Sequence, residues 1–223
     1  MNCKPYLLVL SAAWSALIGT AHAQVAGDWL GRVGVARAAP DVSSGHLSSP
    51  SLPGTQADVH AARQLSGGIT YMYTDHWAVD LPLALPFRLD LVGDGAIAGV
   101  GKIGDVKALP VTVLAQYRFL DPQASVRPYV AAGLTYARLY GERGTGVLTA
   151  LTQPGGPPTR LSIDSRWGST FQIGISTRIH DTWFVDASLA KTFLKTRAVL
   201  STGQALNIKF DPVTVSLSVG TRF

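Results

Sequence analysis

Seven residues carry the reactive or ion-pairing groups that matter most in this chain: Arg32, Asp80, Gln116, Arg118, Arg178, Asp186 and Arg222. Each stands on the small or polar side of a stretch in which apolar and polar residues alternate, the pattern of a strand with two unlike faces. Guanidinium and carboxylate groups that meet in a narrow enclosed space form bidentate, charge-assisted pairs. That chemistry closes and braces a structure; it does not turn over a substrate. The nearest approach to a base beside a nucleophile is His46-Leu47-Ser48, in a connection rich in Ser, Pro and Gly, while His60, His76 and His180 fall in loops or turns. No catalytic residue, metal or cofactor is expected.

The elements that must position these groups are eight strands, predicted over 28–39, 64–74, 77–87, 106–119, 128–140, 166–179, 183–196 and 211–223. The connections alternate in length. Long ones (40–63, 88–105, 141–165, 197–210) face tight or shorter ones (75–76, 120–127, 180–182). That rhythm describes an all-β, eight-stranded antiparallel up-and-down transmembrane β-barrel, with short turns in the periplasm and long loops outside. The last strand shows the pattern most plainly: Val213, Val215, Leu217, Val219 and Phe223 on one face, Thr214, Ser216, Ser218, Gly220 and Arg222 on the other. In a barrel the apolar face meets lipid and the small or polar face meets the lumen, the reverse of a soluble protein.

Register then assigns the interior. The charged and amide groups named above gather in the periplasmic half as a polar plug, because a barrel of this size is only wide enough for side chains to fill. Pro82, Ala84, Pro86, Pro110, Leu114, Ala137, Leu139 and Ala190 line an apolar chamber above it, suited to a small apolar ligand. Trp29, Tyr73, Trp77, Phe119, Trp183 and Phe223, with Tyr129, converge on the short-turn rim, where aromatic rings settle at the membrane interface. A thinner set, Phe87, Tyr140, Trp167 and Phe193, marks the opposite rim. Two such girdles argue against a soluble lipocalin-like barrel. Arg37, Arg138 and Lys191 fall on the outward register near the outer end, where lipopolysaccharide phosphates are within reach.

Export is written at the N-terminus. Lys4, an apolar run over 6–19 and Ala21-His22-Ala23 read as a signal peptide over residues 1–23, leaving the barrel over 24–223. The single cysteine, Cys3, leaves with it, so disulfides and thiolate chemistry are excluded from the barrel. The formal net charge of +5 falls to +4 when Lys4 is lost, and the remaining basic residues are scattered, which gives no footprint for nucleic acid.

Gly27-Asp-Trp-Leu-Gly-Arg-Val-Gly34, Thr70-Tyr-Met-Tyr-Thr-Asp-His-Trp-Ala-Val79, Pro86-Phe87, Gly101-Lys-Ile-Gly-Asp-Val106, Leu109-Pro110, Gln116-Tyr-Arg-Phe119, Arg127-Pro-Tyr-Val-Ala-Ala-Gly133 and Asp211-Pro212 follow one another in order. Together they resemble the OmpW family of outer-membrane proteins over essentially the whole barrel. The resemblance implies a narrow hydrophobic channel that helps small hydrophobic molecules cross the outer membrane, with lateral exit between strands above a blocked floor. It also implies partners: outer-membrane lipids and lipopolysaccharide, and the barrel-assembly machinery, engaged through the C-terminal strand ending at Phe223. A second reading fits the same residues: a structural, adhesive or receptor barrel whose outer loops bind partners and whose lumen is plugged.

Overall fold

The computed structural model describes residues 24–48 and 53–223; the signal peptide expected over 1–23 lies outside the described residues. The chain forms β1 (Trp29–Ala39), β2 (Val42–Ser44), β3 (Thr55–Val59), β4 (Ala62–Met72), β5 (Trp77–Ala84), β6 (Phe87–Gly95), β7 (Lys102–Arg118) and β8 (Val126–Gly144). It continues with α1 (Gly146–Thr152), β9 (Leu161–Ile163), β10 (Arg166–Arg178), β11 (Trp183–Phe193), β12 (Lys195–Leu200), β13 (Ala205–Phe210) and β14 (Val213–Arg222). No helix among the described residues is long and apolar enough to cross a membrane; the chain crosses with strands.

Antiparallel pairing runs β7–β5–β4–β1–β14–β11–β10–β8, and β8 pairs back onto β7. With β5 and β6 as two segments of one stave, the sheet closes into the expected eight-stranded barrel. The first and last strands meet from Leu30–Arg222 to Ala39–Val213. The faces sort as lipid demands. Val33, Val35, Ile69, Leu81, Val111, Leu134, Ile173, Leu189 and Leu217 point outward and exposed, while their neighbours in register form the interior. Trp29, Tyr73, Trp77, Phe119, Trp183 and Phe223 are exposed near the short-turn rim, hereafter the lower rim.

Two features depart from the sequence reading. First, the long connections are largely ordered strand. β6 and β7 continue as a hairpin above the bilayer, β8 runs on to Gly144, and β2, β13, β12 and β9 build a separate four-stranded sheet over the barrel mouth, with α1 beside it. The alternation is present there but reversed in meaning. In β6, Leu89 and Leu91 are buried while Arg88 and Asp90 are exposed; in β12 and β13, Ala198, Leu200, Leu206 and Ile208 are buried while Lys195, Arg197, Asn207 and Lys209 are exposed. Above the bilayer water surrounds the strands, so apolar residues turn inward again.

Second, the third stave is broken. β5 pairs with β7 from Trp77–Tyr117 to Asp80–Leu114, and pairing resumes only at Phe87–Ala108 in β6. Residues 81–86 and 109–113 face each other across this interval without registered pairing, although each keeps its other neighbour, β4 or β8. Three prolines, Pro82, Pro86 and Pro110, fall in the interval, and a proline has no N–H to give to a ladder. Leu85 and Pro86 also shift the parity. Ala84 faces inward, and so does Phe87, which is buried rather than set in an outer aromatic girdle.

Candidate functional site

The lower interior is closed by a hydrogen-bonded cluster. Arg32 on β1 donates to both carboxylate oxygens of Asp80 on β5, at 2.9 and 2.8 Å, and Thr70 on β4 donates to Asp80 at 2.6 Å while accepting from Arg32 at 2.8 Å. The guanidinium has room because residue 68 is glycine: a Cβ there would lie 2.8 Å from Arg32 Nη2. On β7, next to β5, Arg118 donates through Nε to Gln116 at 2.9 Å and through Nη1 to the side chain of Gln24. Its guanidinium lies 5.2 Å from the centre of the Tyr129 ring. The Tyr129 hydroxyl donates to Asp186 at 3.0 Å, and the ring crosses Gly174, where a Cβ would lie 2.3 Å from Tyr129 Cζ. Asp80, Gln116, Arg118, Tyr129 and Asp186 are all fully buried or nearly so.

Below this cluster Arg127 donates to the carbonyls of Gln24 at 2.8 Å and Asp75 at 2.6 Å, tying the first described residue to a lower turn. Gln24 also donates to Ser176. The floor is therefore built from β1, β4, β5, β7, β8, β10 and β11, with the N-terminal segment folded underneath.

The sequence places Arg32, Asp80, Gln116, Arg118 and Asp186 together, and the structure brings these five into the floor. Arg178 and Arg222 are corrections. They lie past the enclosed section of their strands, where turn carbonyls and water are available. Arg178 donates to the Gln123 carbonyl at 2.9 Å, and Arg222 approaches Asp28 at 3.4 Å; both line a small recess of about 350 Å³ at the lower mouth. Tyr129 is a correction of the opposite kind, a residue assigned to the rim that belongs to the floor. The signal was available: Tyr129 stands in step with Ala131, Gly133, Thr135 and Ala137, the small inward face of β8. Thr70 and Gln24 carried no such signal, because neither type nor spacing set them apart.

Above the floor is a chamber of about 1160 Å³, part of it open to solvent. Pro82, Ala84, Pro110, Leu114, Ala137, Leu139 and Ala190 line it, joined by Ala36, Ala38, Leu83, Phe87, Leu89 and Ala108. Pro86 does not; the parity shift beside it gives the inward position to Phe87. Four threonines cross the wall as a chain of hydroxyls. Thr112 and Thr135 are 2.8 Å apart, Thr135 and Thr170 2.6 Å, and Thr170 and Thr192 2.8 Å. Satisfied by one another, they offer an entering molecule little polarity.

A second apolar cavity, about 790 Å³, lies in the outer assembly between Leu47, Leu91, Ile97, Ile103, Leu148, Leu161, Leu200 and Ile208. In the sequence these segments read as loops, and nothing in them announces a cavity. Both cavities are lined from one cluster of packed side chains that runs from Ala36 and Phe87 up to Leu148 and Leu206. Near the turn of the outer hairpin, Lys102 contacts Asp90 at 2.6 Å and Asp105 at 3.3 Å; the hydrogen bond to Asp90, first, holds its ammonium above the ordinary lysine range.

Fold and interior together define an eight-stranded barrel of the bacterial outer membrane, closed below and apolar above. The chain belongs to the OmpW family, whose family model matches residues 25–223. It is 30% identical over 223 residues to outer membrane protein W of Vibrio cholerae, covering 97% of each chain. It is 32% identical over 225 residues to outer membrane protein W of Escherichia coli K12, covering 99% of this chain and all of that one. The crystal structure of the outer membrane protein OprG from Pseudomonas aeruginosa superposes with a TM-score of 0.81 at 24% identity, covering 90% of this chain and 98% of that one.

Proposed function

We propose that the barrel passes small hydrophobic molecules from the outer face of the membrane into the bilayer, sideways through its wall. The observation that carries this reading is the interrupted seam between β5–β6 and β7. It lies at the height of the chamber: Pro82, Ala84, Pro110 and Thr112 line the chamber inside, while Leu81, Val111 and Val113 are exposed on the lipid side. The floor below is filled by paired charges, so the route of least cost for an apolar solute is lateral, toward hydrocarbon, where it loses no hydrophobic stabilisation. The outer cavity supplies a capture site ahead of the chamber.

The membrane partner follows from the outward cations. Arg37 and Arg63 stand directly opposite each other on β1 and β4, both exposed, and no described carboxylate pairs with either. Like charges placed opposite repel unless an anion lies between them, and lipopolysaccharide phosphates supply that anion in the outer leaflet.

The test introduces charge into the chamber. Ala84→Arg and Leu139→Arg should each lower uptake of an apolar probe in cells that depend on this barrel, while the folded protein still shows its unboiled gel shift. Normal uptake in well-folded variants would refute the reading.

A further inference from the structure

The chamber is not uniformly apolar: Ser66, Ser188, Thr214 and Ser216 stand in its wall, and its most deeply buried unpartnered polar atom lies at the bottom. Gln172 on β10 lines the chamber and is 94% buried, being 6% exposed, yet its Oε1 accepts no hydrogen bond from any described residue. Among the described residues it is the one buried side-chain atom of the chamber lining left without a partner. One step up the same face, Thr170 is engaged with Thr135 and Thr192. One step down is Gly174, covered by the Tyr129 ring. Gln172 thus marks the level at which the apolar wall ends and the floor begins. A carboxamide both donates and accepts, and leaving it unpaired in a dry site costs more than a hydrogen bond to it gains.

The surrounding charges say which head group suits it. The Arg32 guanidinium, the cation that reaches the chamber lining, is occupied by Asp80 and Thr70, so it has no open fork for a carboxylate. An ammonium group would be drawn toward Asp186, whose Oδ2 also lacks a hydrogen-bond partner, but that carboxylate lies outside the chamber lining, within the floor and beside Arg32 and Arg118. In the cluster directly below the chamber two arginines face two aspartates, with Arg127 lower down and bonded to backbone carbonyls. We infer that the chamber selects neutral hydrophobic molecules bearing a hydroxyl group, bound head-down with the hydroxyl on the Gln172 carboxamide and the hydrocarbon against Ala84, Ala137, Leu139 and Ala190. This rests on the passage of hydrophobic molecules proposed above and names their class.

Naphthalene and 2-naphthol differ by one hydroxyl and report binding by their own fluorescence. With the barrel in lipid nanodiscs and empty nanodiscs subtracted, 2-naphthol should bind about fivefold more tightly than naphthalene, the scale of one added hydrogen bond. Gln172→Leu and the closer isostere Gln172→Met should both abolish that preference and retain naphthalene binding, which also reports an intact chamber. In wild type, 2-naphthol and not naphthalene should shift the Gln172 side-chain amide resonance. Equal binding of the two probes to wild type, or a preference unchanged in both variants, overturns the inference while leaving hydrophobic passage standing; the carboxamide then holds only water. Binding of neither probe overturns both.

Discussion

At the scale of single residues, the floor is held by pairs whose members are worth little apart. Arg32 and Asp80 are both almost wholly enclosed, and an enclosed charge stripped of its counter-charge is costly. Asp80→Ala should destabilise the folded barrel by about 3–5 kcal/mol, read as earlier loss of the unboiled gel form during a temperature or urea series. The double change Arg32→Met with Asp80→Leu should recover much of that loss, because it removes both charges together. A double variant as unstable as Asp80→Ala would mean that geometry, not charge, is what the site supplies. Which residues form the floor was partly legible. Charged and amide residues on a small-residue face have nowhere to go but inward, and that ground points to Arg32, Asp80, Gln116, Arg118 and Asp186 together. Tyr129 is not among them, because an aromatic near a strand end satisfies the rule for a membrane girdle, although its step with Ala131 and Gly133 points inward, where Gly174 opposite makes room for it.

Among the elements, the broken seam is the one that bears on transport. The barrel over 24–223 contains no cysteine, so a pair introduced as Leu83→Cys and Val111→Cys can be bridged selectively. A short bifunctional linker across them should stop passage of apolar probes, and a cleavable linker should restore it on reduction. Transport that persists through the closed seam would point to another exit. The cationic pair makes a separate demand: Arg37→Ala with Arg63→Ala should weaken retention of lipopolysaccharide on the purified barrel without affecting chamber ligands. The spanning strands were legible because lipid on one side imposes a strict alternation. The outer strands were not, although their alternation is as regular. The reading assumed a single meaning for apolar residues along the chain, whereas Leu89 and Leu91 obey water while Leu81 and Leu83, a few positions earlier, obey lipid. The seam itself was only hinted at, by prolines on two adjoining strands.

For the molecule as a whole, orientation of the two faces decides everything else. Nitroxides at Leu217 and Ser216 should differ: the first should be relaxed by oxygen dissolved in hydrocarbon, the second shielded from it. The exchange of environment along the barrel axis is made in two ways. In β11 and β12 the inward parity continues unbroken and the residue types change, from Ser188, Ala190 and Thr192 to Leu194, Ala198 and Leu200. In β5 and β6 the types keep their parity and the backbone slips instead, at Leu85 and Pro86. A slip of one residue turns every later side chain to the other face. Deleting either Leu85 or Pro86 would leave a single residue between the inward Ala84 and Phe87, so a plain pleat would keep Leu89 and Leu91 inside with no slip at all. The membrane's waterline is thus a phase mark in the chain: one supernumerary residue there lets a single run of greasy positions face hydrocarbon below and the throat above.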